Sequence, residues 1–152
     1  MNDLMYGNWL ANGVVVLATI AAVCLCVLVH YEGLSLLGRG LAKRHDHQPR
    51  RKVLYGIFAV LVLHIIEIWL FGITHWALLL WPETGHLVSA TTTGFLDTIY
   101  LSAMTYTTVG FGDLAPVGPI RFLAGTEALT GFVMITWSAS FTFLEMERFW
   151  RR

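Results

Sequence analysis

Residues 14–29 form an apolar run, VVVLATIAAVCLCVLV, that contains no charged side chain. With its flanks it reaches the roughly 20 residues that a helix needs to cross the hydrocarbon core of a bilayer. Composition agrees, because 56% of the 152 residues are hydrophobic and only 13% are charged. The chain is therefore predicted to be an all-α membrane protein, with an N-terminal transmembrane helix and its cytoplasmic extension over residues 1–42.

Two further spanning helices are predicted, an outer one over residues 53–81 and an inner one over residues 119–146. A polar outer loop rich in Ser and Thr, residues 82–94, follows the outer helix. Residues 95–107 are mostly apolar and favour a helix, but they are too few to span a bilayer. They are predicted to form a re-entrant helix that enters and leaves the membrane on one side.

The distribution of basic side chains predicts how these helices are oriented across the membrane. Nine of the ten Lys and Arg residues lie in residues 39–52 and in the tail 147–152, and the exception is Arg121. The positive-inside rule places the basic loop 43–52 and the tail in the cytoplasm and the N-terminus outside. A plasma (inner) membrane location and a bacterial origin are expected. The zero formal net charge indicates no nucleic-acid partner, and membrane lipids are the expected surroundings.

The segment 105–116, TYTTVGFGDLAP, breaks the apolar pattern between the re-entrant helix and the inner helix. Irregular backbone at membrane depth persists only where protein buries it or where it lines a water-filled cavity. Gly110 and Gly112 allow positive φ at alternate positions, so that successive carbonyl groups can face one side. Together with the Thr108 hydroxyl, these carbonyls could replace the hydration shell of a cation.

Residues 107–113, TTVGFGD, closely resemble the signature sequence of potassium channels. The resemblance covers the pore domain, residues 53–146, and implies a selectivity filter over residues 108–112. It implies that a permeating K⁺ ion is coordinated at Thr108, Val109, Gly110 and Phe111, with filter support from Thr107 and Asp113 and no other cofactor. The chain contains no internal repeat and supplies one filter strand, so the resemblance implies a homotetramer.

Three positions depart from the usual pattern of that family. The filter has Phe111 where tyrosine is commoner, the re-entrant helix has Tyr100 and Leu101 where an aromatic pair is usual, and Met104 stands where some members have glutamate. We expect the Tyr100 hydroxyl to form a hydrogen bond with Asp113 behind the filter. Gly131 lies near the position of a hinge glycine in such channels, although close helix packing explains it equally well.

Ionisable residues inside spanning helices usually face the bundle or a cavity. His64, Glu67, Phe71 and His75 share one helix face and are predicted to pack inward. Glu127, on the inner helix, is predicted to stand behind the filter, bonded to hydroxyl groups of the re-entrant helix or to His64. These groups serve either a structural hydrogen-bond network or pH sensing by His64, Glu67 and Glu127.

Other functions remain open at this point. A less selective cation channel and a non-conducting channel subunit are compatible with the same filter sequence. A membrane metalloenzyme could use His64, Glu67 and His75, but neither a second ligand pair nor a substrate pocket is apparent. We expect no enzymatic activity, no catalytic residues and no soluble regulatory domain in the chain, and the first helix lacks the regularly spaced arginines of a voltage sensor.

Overall fold

The computed structural model describes residues 7–43, 49–89 and 93–150. Residues 1–6, 44–48, 90–92 and 151–152 lie outside the described residues. They include part of the predicted basic loop, part of the predicted outer loop, and Arg151 and Arg152 of the basic tail. Four helices dominate the described part, and three of them are long and apolar enough to cross a membrane. The helices are α1 (Trp9–Lys43), α2 (Pro49–Leu79), α3 (Phe95–Tyr106) and α4 (Arg121–Trp150). The prediction of an all-α membrane protein with three spanning helices and one short helix is confirmed.

The helix ends differ slightly from the predicted bounds. The side chain of Asn8 accepts hydrogen bonds from the backbone N–H groups of Leu10 and Ala11, at 3.0 and 3.2 Å, and so caps the start of α1. α2 begins at Pro49, earlier than the predicted residue 53. Proline suits a first helical position because the N–H group that it lacks has no helical partner there. α4 continues to Trp150, beyond the predicted residue 146.

The outer loop contains regular structure that the sequence patterns did not predict. A short 3₁₀ helix (Pro82–Thr84) follows α2, and strand β1 (His86–Val88) pairs antiparallel with strand β2 (Ala115–Val117). Gly85 has φ of +131°, and a Cβ atom there would lie 2.2 Å from the carbonyl oxygen of Val117. Only glycine permits this approach, and the resulting sheet joins the segment before α3 to the segment after the candidate filter.

The short helix α3, which was predicted to be re-entrant, runs from Phe95 to Tyr106, close to the predicted 95–107. Asp97 caps its first turn, because the Asp97 carboxylate accepts a hydrogen bond from the N–H of Gly94 at 2.6 Å. Two glycines let the long helices approach it. A Cβ atom at Gly72 of α2 would lie 2.9 Å from the Cα of Ile99, and one at Gly131 of α4 would lie 2.1 Å from the carbonyl oxygen of Tyr106. α3 is therefore held between α2 and α4 by backbone contact.

The core lies where α1, α2, α3 and α4 meet, and it combines apolar side chains with polar groups inside the spanning helices. Its apolar members are Val15, Ala22, Cys26, Phe71, Leu78, Tyr106, Ile120, Leu123 and Met134. Large apolar side chains also cover the outside of the long helices, for example Leu17 on α1, Phe58 on α2 and Phe132 on α4. Such a surface suits lipid or neighbouring chains and not water.

Candidate ion filter and the polar clusters behind it

The backbone of residues 108–112 alternates between ordinary and left-handed conformations. Thr108, Gly110 and Gly112 have φ of +59°, +53° and +82°. The two glycines were expected to adopt positive φ, whereas Thr108 was not. Threonine is β-branched and rarely enters this region, so no sequence pattern would indicate it. Alternation of this kind can direct successive carbonyl groups to one side of the strand, which is the property that a carbonyl-lined ion path requires.

The strand leaves α3 through a tight turn. The N–H of Thr108 donates to the carbonyl of Thr105 at 2.9 Å, and the N–H of Gly110 donates to the carbonyl of Met104 at 3.2 Å. In this segment the residues Val109 and Phe111 are 53% and 71% exposed on the single chain. Apolar side chains this exposed at membrane depth are suited to contact with another chain.

Tyr100 and Asp113 connect α3 to the C-terminal end of the candidate filter. The Tyr100 hydroxyl donates to Oδ2 of Asp113 at 2.9 Å, which is the hydrogen bond expected from the sequence. Desolvation and the neighbouring Asp113 carboxylate raise the pKa of the Tyr100 phenol above its ordinary value. The phenol therefore remains protonated and able to donate throughout the neutral pH range.

Replacing Tyr100 with phenylalanine removes this hydrogen bond and leaves the ring in place. We expect the Tyr100→Phe channel to conduct but to lose current faster during sustained opening, because Asp113 is then no longer held against α3. Current decay and K⁺ over Na⁺ preference should be recorded for both proteins. Unchanged values would show that the bond has no functional role.

Glu127 stands behind α3 in a fully buried group that we term the Glu127 cluster, made of His75, Ser102 and Glu127. Nε2 of His75 lies 2.8 Å from Oε2 of Glu127, and the Ser102 hydroxyl contacts the other carboxyl oxygen. Ser102 also lies 2.8 Å from the carbonyl of Ile68. The expected contact with a hydroxyl of α3 is present, but the histidine beside Glu127 is His75 and not His64.

His64 belongs to a second group, termed the His30 cluster, which consists of His30, His64, Glu67 and Tyr106. Nδ1 of His30 lies 2.7 Å from Oε1 of Glu67, and Nδ1 of His64 lies 2.9 Å from Oε2. The Tyr106 hydroxyl also contacts Oε2 and lies 3.0 Å from Nδ1 of His64. The three groups considered for pH sensing, His64, Glu67 and Glu127, are thus divided between two clusters, since Glu127 on α4 contacts His75 and not His64.

Sequence reasoning missed His30 and Tyr106 as members of this cluster. His30 follows directly after the apolar run 14–29, and an imidazole inside a spanning helix is itself a signal for an interior or functional position. Tyr106 carried no such signal, since a tyrosine at the end of an apolar helix is ordinary. The predicted inward face of α2 is present, with Glu67, Phe71 and His75 buried completely and His64 retaining 15% exposure of its side chain.

Gly131 is buried against the last residue of α3, as the backbone contact with Tyr106 shows. Gly131 was interpreted either as a hinge or as a site of close helix packing, and this geometry supports close packing. A hinge at the same residue would instead require α4 to bend there during opening, and Gly131→Ala distinguishes the two.

Comparison with known proteins adds a family assignment. A family model described as "Ion channel" matches residues 53–148. The "Protein LctB" of Bacillus caldotenax is 50% identical over 38 residues, and that of Geobacillus stearothermophilus is 53% identical over 38 residues. Each match covers 25% of this chain and 28% of the relative, so the chain spans little more than a quarter of those curated relatives. No solved structure matches the chain.

The region matched by the family model exceeds half of the chain and contains nearly all of α2, the whole of α3, the candidate filter and most of α4. α1 lies outside it and packs against α2 and α4 as an additional spanning helix. The resemblance drawn from residues 107–113 is confirmed at the level of the family. The chain is a multi-pass membrane protein and belongs to this family of ion channels.

Proposed function

We propose that four copies of this chain form a potassium-selective channel through which K⁺ moves passively across the membrane. The observation that carries the proposal is the alternation of left-handed backbone at Thr108, Gly110 and Gly112 within the sequence TTVGFG. Rings of carbonyl oxygens from Thr108, Val109, Gly110 and Phe111, with the Thr108 hydroxyl, replace the water around a dehydrated K⁺ ion. Several adjacent sites of moderate affinity allow the ion both to enter and to leave.

A homotetramer is part of this proposal. One chain contributes one strand, and a filter that surrounds an ion needs several strands related by symmetry. The exposed side chains of Val109 and Phe111 and the apolar outer face of α4 offer surfaces that neighbouring chains can cover. α1 lies against α2 and α4 of its own chain, so the additional helix leaves the filter strand accessible to other copies.

The orientation is proposed from the charges. The N-terminus lies outside, the basic loop between α1 and α2 lies in the cytoplasm, and α4 ends in the cytoplasm. β1, β2 and the outer end of the filter then face the exterior. The ion path enters from outside through Asp113 and passes inward along the filter towards α4.

Ion flux through the purified chain in liposomes tests the proposal. Under a K⁺ gradient we expect K⁺ flux, and under an equal Na⁺ gradient we expect much less flux. Equal fluxes would contradict selectivity and favour a cation channel of broader selectivity. A lack of flux with either ion, from a protein that is folded and inserted, would favour a non-conducting subunit.

Replacing Gly112 with alanine provides a sharper test of the filter. Gly112 has φ of +82° with open space around a Cβ atom, so backbone conformation alone would resist the substitution. A left-handed conformation costs an L-residue roughly 1–2 kcal/mol, and a tetramer would carry that penalty four times. We expect at least about a tenfold loss of K⁺ flux. The matched control is Gly13→Ala in α1, where the surroundings are also open but the backbone is helical, and flux should be retained.

A further inference from the structure

The His30 cluster brings together polar side chains from three helices at a point separate from the candidate filter. His30 comes from α1, His64 and Glu67 come from α2, and Tyr106 comes from the end of α3. The family match begins at residue 53, so His30 lies outside the part of the chain that defines the family. The cluster exists because α1 packs on the pore domain, and conduction through a filter does not require it.

Three potential ligand atoms converge in this cluster. One donor atom from each of His30, His64 and Glu67 lies within 4.8 Å of the others. Zinc binds imidazole nitrogen and carboxylate oxygen at about 2.0–2.2 Å, which separates ligand atoms around a tetrahedral ion by roughly 3.3–3.5 Å. Both Nδ1 atoms already lie within 3 Å of the Glu67 carboxylate oxygens, so small side-chain adjustments bring all three donors onto one ion. The phenol oxygen of Tyr106 stands beside the fourth position.

The surroundings of His30 include a group suited to hold it as a ligand. Its Nε2 atom lies 3.5 Å from the hydroxyl oxygen of Ser138 on α4. A histidine that binds a metal through one ring nitrogen usually donates the N–H of the other to an oxygen acceptor, which fixes the ring orientation. Ser138 is buried and can accept that hydrogen bond when Nδ1 of His30 binds the ion.

The ligand set selects a class of ion. Two imidazoles and one carboxylate suit zinc and related transition-metal ions, whereas K⁺, Mg²⁺ and Ca²⁺ prefer sites made of oxygen atoms. An imidazole that binds the ion through Nδ1 carries its one proton on Nε2, so both rings would act as neutral ligands. The negative Glu67 carboxylate offsets part of the charge of the ion within the membrane. We infer that the His30 cluster binds one divalent transition-metal ion of the zinc class per chain.

Metal titration of the purified 152-residue chain in detergent tests this inference. Co²⁺ is the probe, because its visible absorption reports the ligand geometry, and Zn²⁺ should displace it. We expect one ion per chain, at least about a 100-fold weaker affinity for His30→Gln and His64→Gln, and about a tenfold weaker affinity for Ser138→Ala. His86→Gln is the matched control, because His86 is exposed on β1, an element that contributes no residue to the cluster. The affinity of this variant for Co²⁺ should equal that of the wild type.

Folding is monitored in the same samples by size-exclusion profile and melting temperature. If His30→Gln does not fold, two other measurements test whether the His30 cluster binds the ion. They are the affinity of the milder Ser138→Ala variant and the zinc-induced rise in melting temperature of the wild-type chain. Equal affinity in the wild type, His30→Gln and Ser138→Ala would overturn the inference, as would the failure of saturating Co²⁺ or Zn²⁺ to bind the folded wild type. Binding is measured without ion flux, so the result is independent of whether the chain conducts K⁺.

Discussion

Gly131→Ala is expected to lower the melting temperature and to abolish ion flux. An added Cβ atom at this position would lie 2.1 Å from the carbonyl oxygen of Tyr106 and 2.9 Å from its Cα atom. Both are backbone atoms, so no side-chain rotation relieves the contact, and α4 or α3 must move. Forcing extra volume into such a contact costs about 3 kcal/mol per chain. Tyr106 directly precedes Thr107, so the displacement reaches the start of the filter.

Gly13→Ala again supplies the comparison, because no atom lies within 4 Å of a Cβ atom there. Alanine is favoured over glycine in a helix by about 1 kcal/mol, so this variant should melt at the same temperature as the wild type or slightly higher. Melting curves and liposome flux are recorded for both variants. A hinge at Gly131 predicts altered opening with normal stability, and a Gly131→Ala channel that melts like Gly13→Ala would favour the hinge over close packing.

Glu127→Ala is expected to destabilise the pore domain by about 1–3 kcal/mol per chain, the cost of leaving a buried polar group without its partner, whereas Glu127→Gln should change it by less than about 1 kcal/mol. The alanine variant leaves His75 and Ser102 buried without their partner. The difference between the two variants follows from the number of hydrogens available. Ser102 has one hydroxyl hydrogen, and its neighbours are the Ile68 carbonyl, which can only accept, and Glu127.

If the Ser102 hydroxyl donates to Ile68, Glu127 must carry a proton and donate it to Ser102, while His75 donates its Nε2 proton to the other carboxyl oxygen. Nδ1 of His75 is buried without a partner among the described residues, which disfavours a doubly protonated ring. A glutamine side chain reproduces this neutral arrangement, since its N–H group donates to Ser102 and its carbonyl accepts from His75. An ionised Glu127 paired with a charged His75 would not tolerate the change.

Melting temperatures of Glu127→Gln and Glu127→Ala, with infrared detection of a protonated carboxyl group lost in both, test this arrangement. Currents between pH 5 and 8 should have the same pH dependence in the wild type and in Glu127→Gln, because a permanently neutral group cannot sense pH. A shifted pH profile in Glu127→Gln, or a melting temperature as low as that of Glu127→Ala, would instead support a titrating carboxylate.

The number and order of the helices could be predicted because they depend on properties local to the chain. Length and hydropathy define the spanning segments, and α3 is too short to be one of them. The Tyr100 to Asp113 hydrogen bond was also accessible, since both residues lie near one filter strand. These features need no knowledge of how one long helix is rotated against another.

Contacts between distant segments could not be predicted in the same way. The pairing of His30 with Glu67 and of His75 with Glu127 depends on the rotation and depth of α1, α2 and α4, which hydropathy does not determine. The antiparallel pairing of β1 with β2 escaped prediction because each strand is very short and the second contains Pro116. The left-handed conformation of Thr108 reflects the geometry of the surrounding strand and overrides the ordinary preference of threonine.

The small sheet formed by β1 and β2 has an entropic consequence for the filter. Pairing of β1 with β2 closes residues 89–114 into a ring that includes α3 and the filter strand. Bringing the ends of such a segment together costs conformational entropy. The strand pairing and the glycine contact offset this cost within one chain, before a neighbouring chain or an ion binds. Loop closure costs only about 0.6 kcal/mol more for each doubling of length, so insertions between β1 and α3 should be tolerated. Breaking the strand pairing, in contrast, would release both ends of the filter at once.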